Sequence, residues 1–262
     1  MNKRGFLIDV DGTLCHGNRV IEGTPEYIES LNQRGVRFLI ASNNSSMSSD
    51  QYLRKLNNLG FKVTSDEVLT ATRVTVEYMN RLYPGKKVFA LGMEGFLSEL
   101  SDGGIHLVED DPDIVLLAYD KTVTFEKLNK AAHFIFRGAK FIATHPDIVC
   151  NSEDGYDIDI GSMIALLETA THVKPTLIAK PEYMMAEVSA RILGVSKEDI
   201  YVVGDRLYTD VEFAKKNGMV AVMVLTGESQ RKDVESYPYK PDYVIDSLMD
   251  IEQFIEGCKK ND

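Results

Sequence analysis

Strand and helix signals alternate along both ends of this chain, and that grammar constrains its fold more than any other feature. An apolar run, Phe6-Leu7-Ile8, leads straight into Asp9. Thr24-Pro25 supplies an N-cap and first-turn proline for a helix through Tyr27, Ile28 and Leu31 that stops at Gly35. Val36 to Ala41 reads as a second strand, ending in the polar cluster Ser42-Asn43-Asn44-Ser45-Ser46. Tyr52, Leu53, Leu56 and Leu59 then recur at helical spacing before Gly60, and a further helix is expected from about Asp66 to Leu82. The last third repeats the pattern. It has a helix from about Glu182 to Leu193, a strand from Ile200 to Gly204 ending in Asp205, and a helix to Asn217-Gly218. A strand from Val220 to Leu225, short Tyr243-Val244-Ile245 and a closing amphipathic helix complete it. Such alternation implies an α/β fold: a Rossmann-like, mostly parallel sheet with helices on both faces and a site at the C-terminal strand ends.

Between these thirds, Pro84-Gly85 to about Pro175 carries strands of its own (Lys87 to Leu91, Asp113 to Tyr119, Ala139 to Thr144). It also carries its own helices (Thr124 to Arg137, Gly161 to Ala170). That is enough for a smaller inserted α/β domain. The expected division is 1–82 and 177–262 for the core and 83–176 for the insertion, joined by short hinges near Pro84-Gly85 and Lys174-Pro175.

With 262 residues, 44% of them hydrophobic, the chain can bury one large core or two modest ones. Its formal charge of −11 argues against a nucleic acid polymer and against an anionic membrane surface. The same charge repels a phosphorylated ligand, so an anion site must build a local positive field from a metal, a lysine or helix N-termini. Cys15, Cys150 and Cys258 are odd in number and lack metal-ligand spacing, which suits a reducing cytoplasm. Lys3 and Arg4 precede only a brief apolar run, and no stretch reaches membrane-spanning length. A soluble, cytoplasmic protein with no membrane partner is expected.

Four short motifs carry the chemistry. In Asp9-Val10-Asp11-Gly12-Thr13, two acids spaced by one residue follow a buried strand, where residues i and i+2 share a face. Crowded carboxylates lose solvation and repel, so they call for a cation, a reaction or both; the competing reading is a plain Asp-Gly turn. Ser42, at the end of the second strand, offers a hydroxyl and following N–H groups to an anion, although such clusters also serve as ordinary loops or helix caps. Lys180-Pro181 alone reads equally as a solvated lysine before a helix-starting proline. Gly204-Asp205-Arg206-Leu207-Tyr208-Thr209-Asp210 sets two acids after a buried strand, against the simpler reading of a helix capped by Asp205 or Thr209.

In this order the four motifs resemble those of the haloacid dehalogenase-like hydrolase superfamily, and within it the NagD-like phosphatases, over nearly the whole length. The resemblance implies that Asp9 is the nucleophile that forms an aspartyl-phosphate and that Asp11 is the general acid/base. It implies that Ser42 and Asn43 hold phosphoryl oxygens and that Lys180 neutralises the phosphoryl group and the nucleophile together. It also implies a Mg²⁺ site in which Asp205 is a direct ligand beside Asp9 and the backbone carbonyl of Asp11, with Asp210 in support. The second acid, Asp11, points to phosphoryl transfer, because haloacid dehalogenases proper lack it. The chain has Ala179 where relatives often have Gly, and Ile158-Asp159-Ile160-Gly161 where they commonly have a Pro-Gly element.

Between Thr13 and Ser42 there is room only for a loop and a helix, whereas Ser42 to Lys180 spans the whole middle segment. This favours the branch with an α/β cap inserted between the second and third motifs, contributing leaving-group recognition and excluding water. In the acidic stretch from Thr144 to Asp159, the polar candidates for substrate contact are Asp147, Asn151 and Asp159, each also readable as a solvated loop residue. His145 reads as structural. The methionines and the Phe134/Phe136 region read as core or dimer surface, and a homodimer through the cap is implied by the resemblance alone. The expected activity is Mg²⁺-dependent hydrolysis of small phosphomonoesters, sugar phosphates or nucleoside monophosphates, through phospho-Asp9. A phosphotransferase or mutase using the same first step, and a catalytically silent ligand-binding module, are the alternatives.

Overall fold

The computed structural model describes residues 4–152 and 155–256. It divides into two compact units, one formed by Met1–Ser42, Leu53–Leu69 and Lys180–Asp262, the other by Asn43–Tyr52 and Thr70–Ala179.

In the first unit, β1 (Gly5–Ile8) leads into a small hairpin, β2 (Cys15–His16) and β3 (Arg19–Val20), then α1 (Thr24–Gln33) and β4 (Arg37–Ser42). Helix α2 (Ser49–Asn58) belongs to this unit from Leu53 onward, and β5 (Val68–Thr70) up to Leu69. The sheet order is β15-β14-β13-β1-β4-β5, in which β13 is Ile200–Gly204, β14 is Val220–Val224 and β15 is Tyr243–Ile245. All four residues of β1 are buried, so its apolar run shows no alternation, as a parallel strand covered on both faces requires. Ile8 lies opposite Ile40 on β4 and Val203 on β13, both in parallel register. The next residues along all three strands therefore emerge side by side, where the strand order runs outward in both directions from β1.

Local chemistry departs from expectation at three places in this unit. Thr24 does not cap α1; Gly23 (φ 82°) precedes the helix, and the buried Thr24 hydroxyl donates to the carbonyls of Leu14 and Ile21 at 3.0 and 2.7 Å. The helix expected from Asp66 starts only at Ala71, because Ser65–Glu67 is a 3₁₀ turn and Val68–Thr70 pairs as an edge strand. A segment of three residues, Val68-Leu69-Thr70, satisfies either period, so the sequence alone does not separate them. After β13 the chain makes a π-helical turn, Leu207–Val211, before the short helix α8 (Glu212–Lys216).

The second unit has its own parallel sheet, ordered β12-β9-β8-β6-β7. Its strands are β6 (Lys87–Leu91), β7 (His106–Leu107), β8 (Ile114–Leu117), β9 (Lys140–Ala143) and β12 (Thr176–Leu177). Four helices accompany it: α3 (Ala71–Leu82), α4 (Glu94–Asp102), α5 (Phe125–Phe136) and α6 (Ile160–Thr171). Phe89, Val115, Leu117, Phe134, Phe141 and Leu167 form part of its core, with Phe89 and Phe134 edge to face at 5.2 Å. Helix α3 groups with this unit, where it packs against α4, so the division falls at Thr70 rather than at 83 and Pro84-Gly85 lies inside the unit. The stretch read as one recognition loop contains an antiparallel hairpin, β10 (Val149–Ser152) with β11 (Gly155–Ile158), in which Val149 faces Ile158. Helix α7 (Tyr183–Leu193) and the C-terminal α9 (Glu252–Glu256) complete the first unit. Among the described residues, no helix is long and apolar enough to cross a membrane.

Candidate active site

Strand β1 stops at Ile8, and a tight turn follows. The N–H groups of Thr13, Leu14 and Cys15 all donate to the Val10 carbonyl at 3.2, 2.8 and 3.1 Å, and Gly12 N–H donates to the Cys15 carbonyl at 2.7 Å. Gly12 takes φ 85°, a conformation that glycine adopts without strain. Asp9 and Asp11 are thus placed by a turn and not by the alternation of a strand, as the sequence reading supposed. Asp9 N–H still donates to Val203 O at 2.8 Å, which ties the residue to the end of β13.

Lys180 joins the pieces. Its Nζ lies 2.5 Å from Asp9 Oδ1 and 2.6 Å from Asp210 Oδ1, and donates to the Ala41 carbonyl at 3.2 Å. Only 2% of its side chain is exposed, which disposes of the solvated-lysine reading. Burial alone would depress its ammonium, but Asp210 and then Asp9 outweigh burial and raise its pKa above the ordinary lysine value.

The π-helical turn presents the second acidic pair. Asp210 and Val211 N–H both donate to the Arg206 carbonyl, at 3.0 and 3.2 Å, which carries Asp210 back toward Lys180. Its other oxygen accepts the Arg206 N–H at 3.3 Å. Asp205 is 2% exposed; its Oδ2 accepts the Glu228 N–H at 2.6 Å, while its Oδ1 has no hydrogen-bond partner among the described residues. Asp9, Asp205 and Asp210 each bring a carboxylate oxygen within 4.8 Å of the others. Burial, then Asp210, pushes Asp205 up to about 7, and burial followed by Asp210 also raises Asp9, with Lys180 opposing. Three carboxyl groups face one ammonium, more acids than that single cation can neutralise. Hard oxygens in a buried, electron-rich pocket with one oxygen unclaimed suit a divalent cation such as Mg²⁺.

Glycine lets the acids approach the backbone this closely. A Cβ built on Gly12 or Gly227 would stand 2.3 or 2.0 Å from Asp205 Oδ2, and one on Gly204 would stand 2.2 Å from Asp210 Cγ. No side chain other than hydrogen fits at these three positions without displacing a carboxylate.

The remaining sequence-derived candidates divide by unit. Asp11 is half-buried and its carboxylate stands outside the three-acid cluster; the hydrogen bonds of its turn use the Val10 and Cys15 carbonyls and leave the Asp11 carbonyl outside them. Ser42 is buried at the end of β4. In the second unit, Asn43 Nδ2 donates to Asp147 Oδ2 at 3.2 Å, and that oxygen is 3.3 Å from His145 Nδ1. Asp159 serves as the N-cap of α6, its Oδ1 accepting Ile160 N–H at 2.6 Å. Asp147 and Asp159 are both buried, which removes the reading of either as a solvated loop residue. The Asn151 side chain lies outside the described residues.

Comparison with known proteins gives this geometry its family. A sequence model described as haloacid dehalogenase-like hydrolase matches residues 6–106, and one described as HAD-hydrolase-like matches residues 177–251. The chain is 33% identical over 255 residues to the sugar-phosphatase AraL of Bacillus subtilis, covering 96% of this chain and 93% of that protein. It belongs to the haloacid dehalogenase-like hydrolases. The 5'-nucleotidase YutF of the same organism is 32% identical over 245 residues, covering 94% and 96%. A 4-nitrophenylphosphatase structure from Thermotoga maritima superposes with a TM-score of 0.90 at 39% identity, covering 95% of this chain and 96% of that one. NagD from E. coli gives 0.86 at 26%, covering 94% and 97%. The protein is a NagD-like phosphatase.

Three further residues, not named from the sequence, touch the turns that carry the acids. Thr226 Oγ1 donates to Gly12 O at 2.6 Å, Ser229 Oγ accepts Leu207 N–H at 3.2 Å, and Glu228 N–H reaches Asp205. All three follow β14, and the rule that polar residues at parallel-strand C-termini build sites would have found them there too.

Proposed function

We propose that this phosphatase hydrolyses small phosphomonoesters, sugar phosphates or nucleoside monophosphates, through a phosphoryl group carried on Asp9, with Mg²⁺ as its cation. The Lys180 ammonium shared between Asp9 and Asp210 is the observation that supports this most directly. The names of the relatives, sugar phosphatases and a 5'-nucleotidase, support the substrate class.

In the first step an Asp9 carboxylate oxygen attacks phosphorus, the bond from phosphorus to the leaving oxygen breaks, and Asp11 gives that oxygen its proton. In the second, Asp11 takes a proton from water whose oxygen attacks phosphorus; the bond to Asp9 breaks and inorganic phosphate leaves. Lys180 neutralises Asp9 and the phosphoryl oxygens through both steps, and the Ser42 hydroxyl donates to a phosphoryl oxygen. Asp9, Asp205 and the Asp11 carbonyl, with Asp210 in support, would hold Mg²⁺, which would screen phosphoryl charge.

A panel of sugar phosphates and nucleoside monophosphates, assayed with Mg²⁺, with chelator and with Asp9→Asn, tests this. Inorganic phosphate should appear in equal amount with the alcohol. Chelation should stop its release, and the substitution should lower kcat by about a thousandfold or more. Activity that survives Asp9→Asn rejects this nucleophile, and alcohol in excess of inorganic phosphate indicates transfer to an acceptor instead.

A further inference from the structure

We propose that Glu228 is a positioning residue for Asp205, and that with Arg206 and Tyr208 it dictates which Asp205 oxygen meets the cation. The inference rests on the reading of Asp205 as a cation ligand.

The Glu228 carboxylate is gripped from two directions. Arg206 Nε lies 3.0 Å from Oε2, and the Tyr208 hydroxyl lies 2.9 Å from Oε1 and 3.1 Å from Oε2. Arg206 and Tyr208 both come from the turn that begins immediately after Asp205. A closed ring results: the chain runs from Asp205 to Arg206 and Tyr208, these hold the Glu228 side chain, and the Glu228 N–H returns to Asp205 Oδ2 at 2.6 Å. Hydrogen bonds on either side, from the Thr226 side-chain Oγ1 to Gly12 O and from Ser229 N–H to Asp205 O at 3.3 Å, keep the segment against the acid. Gly12 and Gly227 wall in the same oxygen.

The ring commits one lone pair of Oδ2 and leaves Oδ1 as the Asp205 oxygen without a hydrogen-bond partner among the described residues. A carboxylate that ligates through one oxygen suits a small octahedral ion that keeps several waters; Ca²⁺ prefers more ligands and readily takes a carboxylate through both oxygens. Glu228 is about a third exposed, so its ion pair with Arg206 contributes little to stability by itself. Its effect belongs to the orientation of its own N–H. Removing the side chain frees residues 226–229 to shift, and Asp205 can then turn both oxygens outward.

Metal-stripped wild type, Glu228→Ala, Glu228→Gln and Asp205→Asn, each titrated calorimetrically with Mg²⁺ and separately with Ca²⁺, test the inference. Glu228→Ala should weaken Mg²⁺ binding roughly tenfold, the scale seen when a partner of a metal ligand is lost, and Ca²⁺ binding by less. Glu228→Gln keeps a hydrogen bond to Tyr208 but not the charge for Arg206, and should fall between. Metal-free melting temperatures should stay within about 2 °C of wild type. Mg²⁺ and Ca²⁺ affinities both unchanged in Glu228→Ala overturn the inference. So does a Mg²⁺ loss matched by an equal loss for Ca²⁺ and a lower metal-free melting temperature, which marks a merely structural role. Mg²⁺ binding that survives Asp205→Asn refutes the cation site itself. Binding lost there but untouched in Glu228→Ala refutes only the part given to Glu228.

Discussion

Lys180 reaches two carboxylates and a carbonyl while almost wholly buried, so its charge cannot be replaced by solvent. Lys180→Met removes the cation and leaves Asp9 and Asp210 facing each other in a largely buried site. Breaking a buried pair in this way costs about 3–5 kcal/mol, which urea unfolding of the metal-free protein should show together with loss of phosphate release. Cys15 gives a test through pH. Burial, then Asp11, pushes its thiol up to about 12, with Lys55 opposing. The unfolded chain ionises this thiol from about pH 8.5, while the folded chain keeps it protonated, so stability falls as pH rises above that value. Iodoacetamide at pH 9, followed by peptide mapping, should label Cys15 only in denaturant. Labelling of the native protein contradicts this. At this scale the sequence was legible where residue type and strand end coincide: Asp9, Lys180, Asp205 and Asp210 meet in the structure. Glu228 was legible only by its place after β14, because its contact with Asp205 comes from a backbone N–H that any residue but proline possesses.

Elements show a different limit. Strand β13 has the bounds that its apolar run implies, whereas β5 went unread because it runs directly into α3, and the β10/β11 hairpin because polar residues interrupt both of its strands. Thr124 and Thr70 cap α5 and α3, accepting from Lys127 and Arg73 N–H at 3.3 and 3.2 Å, and Asp159 does the same work for α6 with Ile160. Asp159→Ala should therefore lower stability by about 1 kcal/mol in denaturant, while Asp159→Asn, which keeps an acceptor oxygen, should stay close to wild type. A raised KM with unchanged stability in Asp159→Ala would instead return Asp159 to the role of substrate contact.

For the molecule as a whole, a mostly parallel core sheet and a smaller inserted α/β unit were legible in the alternation of strand and helix. The line between the units was not, since the membership of α3 depends on its packing against α4, a contact between segments that no local pattern announces. The register of the first sheet carries a further consequence for how the protein is made. Strand β1 has β4 on one side and β13 on the other, and β13 lies beyond the entire second unit in the chain. On the ribosome, where chains emerge from the N-terminus, the central strand waits with one flank bare until the last quarter of the message has been translated. A flat, wholly apolar flank left open for that long is a template for another nascent chain, and this protein's yield at high expression should depend on chaperones that bind such edges.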